Sequence, residues 1–171
     1  MKKIITCLIL IAAVAAAFAA NTACAEEEQK LVTAFSAYLT DSKSGRVLYA
    51  KDENEKHEIA SMVKIMTATL TFEALERGEL SLEEEIVVSP EAAGMGGSQM
   101  FLDAGESYKV GDLIKGVVIA SANDASVALA ERISGSHEAF VDKMNARARE
   151  LGMNNTRFCC ATGLPDSGEQ Y

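Results

Sequence analysis

The stretch from Ile59 to Phe72 constrains the fold of this chain most, because Lys64 is the only ionisable side chain in it. Helix signals run from Ser61 to Arg77, and Gly78 predicts the end of the helix. A helix that is apolar all round has to be covered on several sides, so we expect this one to be central in the domain. A lysine inside such a helix needs a specific reason, since burial disfavours its charge.

The rest of the pattern predicts a hairpin followed by helices. Val32–Leu39 and Arg46–Ala50 are rich in β-formers and flank a turn at Asp41–Gly45. A mixed stretch from Leu80 to Val88 and a glycine-rich loop from Gly94 to Gly97 follow. Three segments then have helical patterns with turn residues after them: Val110–Ala120, Asp124–Ile133 and His137–Leu151.

The first 25 residues differ from the remainder and are typical of a secretory signal peptide. Lys2 and Lys3 precede a charge-free run from Ile4 to Ala20, and Ala23-Cys24-Ala25 is a small-residue cleavage site. We expect cleavage after Ala25, export, and a mature part of residues 26–171. A membrane anchor is disfavoured, because the run is shorter than the roughly 20 residues of a spanning helix. A lipoprotein site at Cys24 is disfavoured, because Asn21 occupies the position at which such sites have Leu.

Composition excludes several functions. The net charge is −9, and becomes −11 without Lys2 and Lys3, so a nucleic-acid partner is not expected. Two His and four Cys without zinc-ligand spacing argue against a metal site. Cys159 and Cys160 are adjacent, and because a vicinal disulfide is strained we expect two thiols.

Two short segments carry the candidate chemistry. Ser61 and Lys64 have the i, i+3 spacing that places side chains on one helix face. A lysine amine whose pKa is lowered by burial can take the proton from a serine hydroxyl. Ser121 and Asn123 form the second segment, between two predicted helices: the hydroxyl can relay a proton, and the amide can hold both Lys64 and a substrate carbonyl. N-cap roles for Ser61 and Asn123 remain open at this point.

Ser-x-x-Lys followed by Ser-x-Asn on an exported chain resembles the start of the motif set of penicillin-binding proteins and serine β-lactamases. The flanking residues resemble the D-alanyl-D-alanine carboxypeptidases, which are low-molecular-mass penicillin-binding proteins, from about Phe35 onward. These segments are Ser44-Gly45-Arg46-Val47-Leu48-Tyr49, Ala60-Ser61-Met62-Val63-Lys64-Ile65-Met66-Thr67, Ser98-Gln99-Met100-Phe101-Leu102, Ala120-Ser121-Ala122-Asn123-Asp124-Ala125, Leu151-Gly152-Met153 and Gly163-Leu164-Pro165.

The resemblance implies an α+β fold of the β-lactamase/transpeptidase-like type, in which an antiparallel sheet packs with a helical region. It implies a serine-type carboxypeptidase that removes the terminal D-alanine from peptidoglycan stem peptides, outside the cytoplasm in the periplasm or at the cell surface, without a cofactor. Ser61 would be the nucleophile, Lys64 the general base, Ser121 the proton relay and Asn123 a substrate-binding residue. β-Lactams would be covalent inhibitors.

One motif of the family is absent from the sequence. Lys-Thr-Gly, which in the family lies on a late strand that binds the substrate carboxylate, does not occur. We therefore expect residues 26–171 to be the N-terminal part of the catalytic domain, truncated before the C-terminal strands and inactive by itself. Membrane association would depend on a C-terminal segment beyond Tyr171.

Two other functions compete with this one. A class A-like β-lactamase has a Glu-x-x-Leu-Asn segment about 35 residues after its second motif, and residues 158–164 contain no Glu. A non-catalytic penicillin-binding remnant would keep the first two motifs and lack the third.

Overall fold

A computed structural model of the chain describes residues 32–164 and residue 171. The predicted signal peptide therefore lies outside the described residues. The chain divides into two units, residues 1–55 and 56–171. No helix in the described ranges is long and apolar enough to cross a membrane.

The first unit contains the predicted hairpin. Strands β1 (Ala37–Thr40) and β2 (Val47–Lys51) pair antiparallel, with a register shift between Leu39 and Thr40. The carboxylate of Asp41 accepts hydrogen bonds from the Ser44 backbone N–H and hydroxyl at 2.8 and 2.6 Å, which closes the turn. The first strand is shorter than predicted.

The second unit begins with the predicted Ser61 helix, which has two parts. Residues Ala60–Val63 form a 3₁₀ turn, and helix α1 (Lys64–Glu76) continues from it. Helix α1 packs against three later helices, buries residues such as Met66 and Leu70, and leaves one face open, with Ile65 67% and Phe72 51% exposed. It is therefore covered on several sides, as predicted, but not all round.

The helix that is covered all round is a later one. Helix α3 (Val110–Ala120) is followed by α4 (Asn123–Ser134) and α5 (His137–Glu150), close to the predicted bounds. Every residue from 123 to 130 in α4 is buried, and α4 packs against α1, α3 and α5. Four alanines and a serine are among the residues from 122 to 130. Their small side chains allow neighbouring helices to approach α4 from several directions.

A second small sheet was not predicted from the sequence. Strands β3 (Glu85–Val87) and β4 (Ser107–Lys109) pair antiparallel. A single turn of helix, α2 (Pro90–Ala93), lies between them in the chain, and the Ser89 hydroxyl caps it by accepting from the Ala92 N–H at 2.9 Å. These strands have three residues each, too few for the alternation of apolar residues to stand out.

Candidate active site

Ser61 and Lys64 lie at the junction between the 3₁₀ turn and α1. The Lys64 Nζ atom donates a hydrogen bond to Ser61 Oγ at 3.1 Å. Ala60, directly before the serine, has a φ of 44°. This left-handed backbone costs a residue with a side chain about 1–2 kcal/mol, so the surrounding structure holds the start of the turn in place.

The Lys64 side chain is almost completely removed from water, with 5% exposure. Burial lowers the pKa of Lys64, and the nearby Cys160 acts in the opposite direction. The ammonium also donates to the Thr162 carbonyl oxygen at 2.7 Å. Lys64 is thus held by a residue 98 positions away in sequence as well as by Ser61.

Residues 160–164, here called the 160–164 turn, pack against the Ser61–Lys64 pair. The Ala161 carbonyl accepts from the buried Thr67 hydroxyl at 2.8 Å, and the Gly163 N–H lies 3.1 Å from the Cys160 sulfur. Gly163 has a φ of +88°, and a Cβ there would overlap the Ala60 carbonyl oxygen and lie 2.9 Å from the Ser61 nitrogen. Only glycine allows the turn to approach the serine backbone this closely.

Ser121 faces the same cleft as the pair. The cleft has a volume of about 400 Å³, and Ser61, Lys64 and Ser121 line it together with Ile65 and Val117. Ser121 ends α3 with a φ of 55°, a second left-handed residue at the site. The structure therefore brings three of the four predicted residues to one cleft.

Asn123 is placed differently from what the sequence suggested. Its side-chain amide donates to the Gly96 carbonyl at 2.7 Å, and its backbone N–H donates to the Ser98 carbonyl at 2.7 Å. These bonds attach the glycine-rich loop to the start of α4. In the described part of the chain, no hydrogen bond joins Asn123 to Lys64.

Two residues that hold the loops next to the site, Asp124 and Thr67, were not predicted from the sequence. The buried carboxylate of Asp124 accepts from the backbone N–H groups of Met100 and Leu102 at 3.0 and 3.1 Å, so it holds the 98–102 loop against α4. Thr67 holds the 160–164 turn, as described above. An Asp at the first turn of a helix is a recognisable signal, but its partners lie more than 20 residues away.

Within residues 32–164 and residue 171, no group of three or more His, Cys, Asp and Glu side chains could hold a metal ion. Cys159 and Cys160 carry thiols in this structure, not a disulfide.

The chain is similar to known proteins of one family. A family model described as D-alanyl-D-alanine carboxypeptidase matches residues 21–171. A curated relative, the D-alanyl-D-alanine carboxypeptidase DacF of Bacillus subtilis, is 52% identical over 133 residues. That match covers 78% of this chain and 34% of the relative, so the chain spans about a third of the relative's length.

Solved structures show the same fold. The D-alanyl-D-alanine carboxypeptidase DacD from Francisella tularensis superimposes with a TM-score of 0.80 at 38% identity, over 84% of this chain and 34% of that one. Penicillin-binding protein D2 from Listeria monocytogenes, solved in an ampicillin-bound form, matches with a TM-score of 0.72 at 30% identity, over 82% of this chain and 57% of that one. The fold is therefore of the penicillin-binding, transpeptidase-like type that the sequence predicted.

Proposed function

Because the chain belongs to the family of D-alanyl-D-alanine carboxypeptidases, we propose that it acts as a serine-type hydrolase which removes the terminal D-alanine from peptidoglycan stem peptides. The observation that carries this proposal is the 3.1 Å contact between Lys64 Nζ and Ser61 Oγ. A serine beside a buried lysine is a nucleophile beside its base.

The proposed acylation step uses the lowered pKa of Lys64. Burial favours the neutral amine, which can accept the Ser61 proton as Oγ attacks the carbonyl carbon of the penultimate D-alanine. The new C–O bond forms, the amide C–N bond breaks, and the terminal D-alanine leaves with a proton on its nitrogen. Water then hydrolyses the Ser61 ester and releases the shortened peptide.

Ser121 and Asn123 are assigned supporting roles. Ser121 lines the same cleft as Lys64, which supports a role in passing the proton from Lys64 to the leaving nitrogen. Asn123 is proposed to contact the substrate from the start of α4, with one amide N–H given to the Gly96 carbonyl. This leaves its second N–H for a substrate carbonyl.

Peptidoglycan as the substrate implies action outside the cytoplasm. We propose export through residues 1–25, with residues 26–171 carrying the Ser61, Lys64 and Ser121 part of the catalytic domain. β-Lactams would acylate Ser61 because their strained amide is attacked by the same nucleophile. The ampicillin-bound Listeria relative supports this assignment by analogy.

The nucleophile is tested by labelling with a fluorescent penicillin. In the complete gene product, Ser61→Ala should abolish covalent labelling, while Ser81→Ala, at an exposed serine, should retain it. Labelling of the Ser61→Ala protein at the wild-type level would overturn the assignment. Rapid turnover of the penicillin, in place of a lasting adduct, would favour the β-lactamase alternative.

The base is tested by Lys64→Arg, with Lys115→Arg as the control at an exposed lysine of α3. Arginine keeps the charge but cannot give up its proton near neutral pH, so acylation should fall by about 10²–10⁴-fold. In the wild type, the acylation rate should rise with pH over a range below that of an ordinary lysine, since burial lowers the pKa of Lys64. An unchanged rate in Lys64→Arg would contradict the role.

A further inference from the structure

His137 makes two hydrogen bonds that the proposed mechanism does not use. It is the first residue of α5, and its side chain is 15% exposed. Its Nε2 atom accepts from the Ala161 backbone N–H at 3.0 Å, and its Nδ1 atom lies 3.2 Å from a carboxylate oxygen of Glu91. The ring therefore joins α2, α5 and the 160–164 turn.

These partners determine the tautomer of the ring. A backbone N–H can only donate, so Nε2 must present its lone pair to Ala161. The proton of the neutral imidazole then lies on Nδ1 and is donated to Glu91. Glu91 thus selects the tautomer in which His137 can accept the Ala161 N–H.

The Ala161 peptide is held from two sides. Its N–H is bonded to His137, and its C=O is bonded to the Thr67 hydroxyl at 2.8 Å. The next residue, Thr162, supplies the carbonyl that accepts from Lys64 Nζ at 2.7 Å. Residues 160–163 lie outside helices and strands, so the position of the Thr162 carbonyl depends on these side-chain contacts.

We propose that His137 is a positioning residue for Lys64. Acting through the Ala161 amide, it holds the 160–164 turn where the Thr162 carbonyl binds the Lys64 amine and Gly163 packs against Ser61. The expected change in the acylation rate rests on the proposed function above. The expected change in the surroundings of the Lys64 amine does not.

The test compares two substitutions of similar size. Glutamine in His137→Gln offers an amide oxygen to the Ala161 N–H and an amide N–H to Glu91, so it can replace both bonds. Leucine in His137→Leu offers neither. The control is His57→Leu, at an exposed residue outside the site.

Two measurements on the complete gene product separate the possibilities. The first is the rate of Ser61 acylation by a fluorescent penicillin, with the melting temperature of each variant. The second is the NMR titration midpoint of the Lys64 ε-carbon, which requires no enzyme activity. Both the burial of Lys64 and its bond to Thr162 act on the amine, so displacement of the turn has to change this midpoint.

We expect His137→Leu to slow acylation by up to about 10²-fold, the cost of a displacement on the order of 1 Å at a reacting group. Its Lys64 midpoint should differ from the wild type, while His137→Gln and His57→Leu should match the wild type in both measurements. A wild-type midpoint in His137→Leu would overturn the proposal. The proposal would also be overturned if His137→Leu and His137→Gln lost the same factor in acylation rate and this loss followed their melting temperatures. That result would show a purely structural role for His137. If wild-type protein is not labelled at all, the proposed function fails and the midpoint still decides the role of His137.

Discussion

Gly163 offers a sharp test of how closely the 160–164 turn approaches the nucleophile. Its φ of +88° is unfavourable for residues with a side chain, and a Cβ there would overlap the Ala60 carbonyl oxygen. Gly135, at the end of α4, has a φ of +84° with nothing within 4 Å of an added Cβ. Alanine therefore has the same unfavourable φ at both positions, but only in Gly163→Ala does the added Cβ overlap the backbone next to Ser61.

The strain alone should lower the free energy of unfolding by about 1–2 kcal/mol in both variants. In Gly163→Ala the overlap has to be relieved by moving Ala60 and Ser61, because the contacts are to backbone atoms and not to a flexible side chain. A displacement on the order of 1 Å at the nucleophile corresponds to a loss of up to about 10²-fold in rate. Gly135→Ala should acylate at the wild-type rate.

The assay is the second-order rate of Ser61 labelling by a fluorescent penicillin, measured with urea unfolding of the same samples. Gly163→Ala should lose far more labelling than Gly135→Ala under conditions in which the urea transitions show both variants to be folded. Equal labelling rates in the two variants would refute the reasoning, because they would show that the turn does not constrain Ser61.

Two further predictions concern stability and export. Asp124→Asn should lower the free energy of unfolding by about 1.5–3 kcal/mol, the value of a hydrogen bond to a charged group, because the buried carboxylate accepts from backbone N–H groups of the 100–102 segment. In the same urea titration, the control Asp112→Asn, at an exposed ion pair, should cost less than about 1 kcal/mol. Similar losses in the two variants would contradict this account. In a bacterial host the protein should be recovered outside the cytoplasm with Glu26 as its first residue by N-terminal sequencing, whereas an intact precursor that resists alkaline extraction from membranes would show an anchor.

Local features of this protein could be predicted from the sequence alone. Helix α3 has the predicted bounds, Val110–Ala120, because its apolar pattern and ends are local signals. The contact of Ser61 with Lys64 also follows from local geometry, since residues three apart in a helical segment share a face. The hairpin could also be predicted, because its two strands and the turn at Asp41 are adjacent in the sequence.

The tertiary structure decided what surrounds these local features. Helix α4 is less apolar in sequence than α1 and contains Asn123, Asp124, Glu131 and Arg132. Only packing shows that residues 123–130 of α4 are buried on all sides while α1 leaves Ile65 exposed. The Thr162 carbonyl reaches Lys64 across 98 positions, and the Ala161 N–H reaches His137 across 24. Periodicity reports which residues share a face of one element, but contacts between distant segments form only when the whole chain packs, so the residues that hold the active site could not be found by spacing.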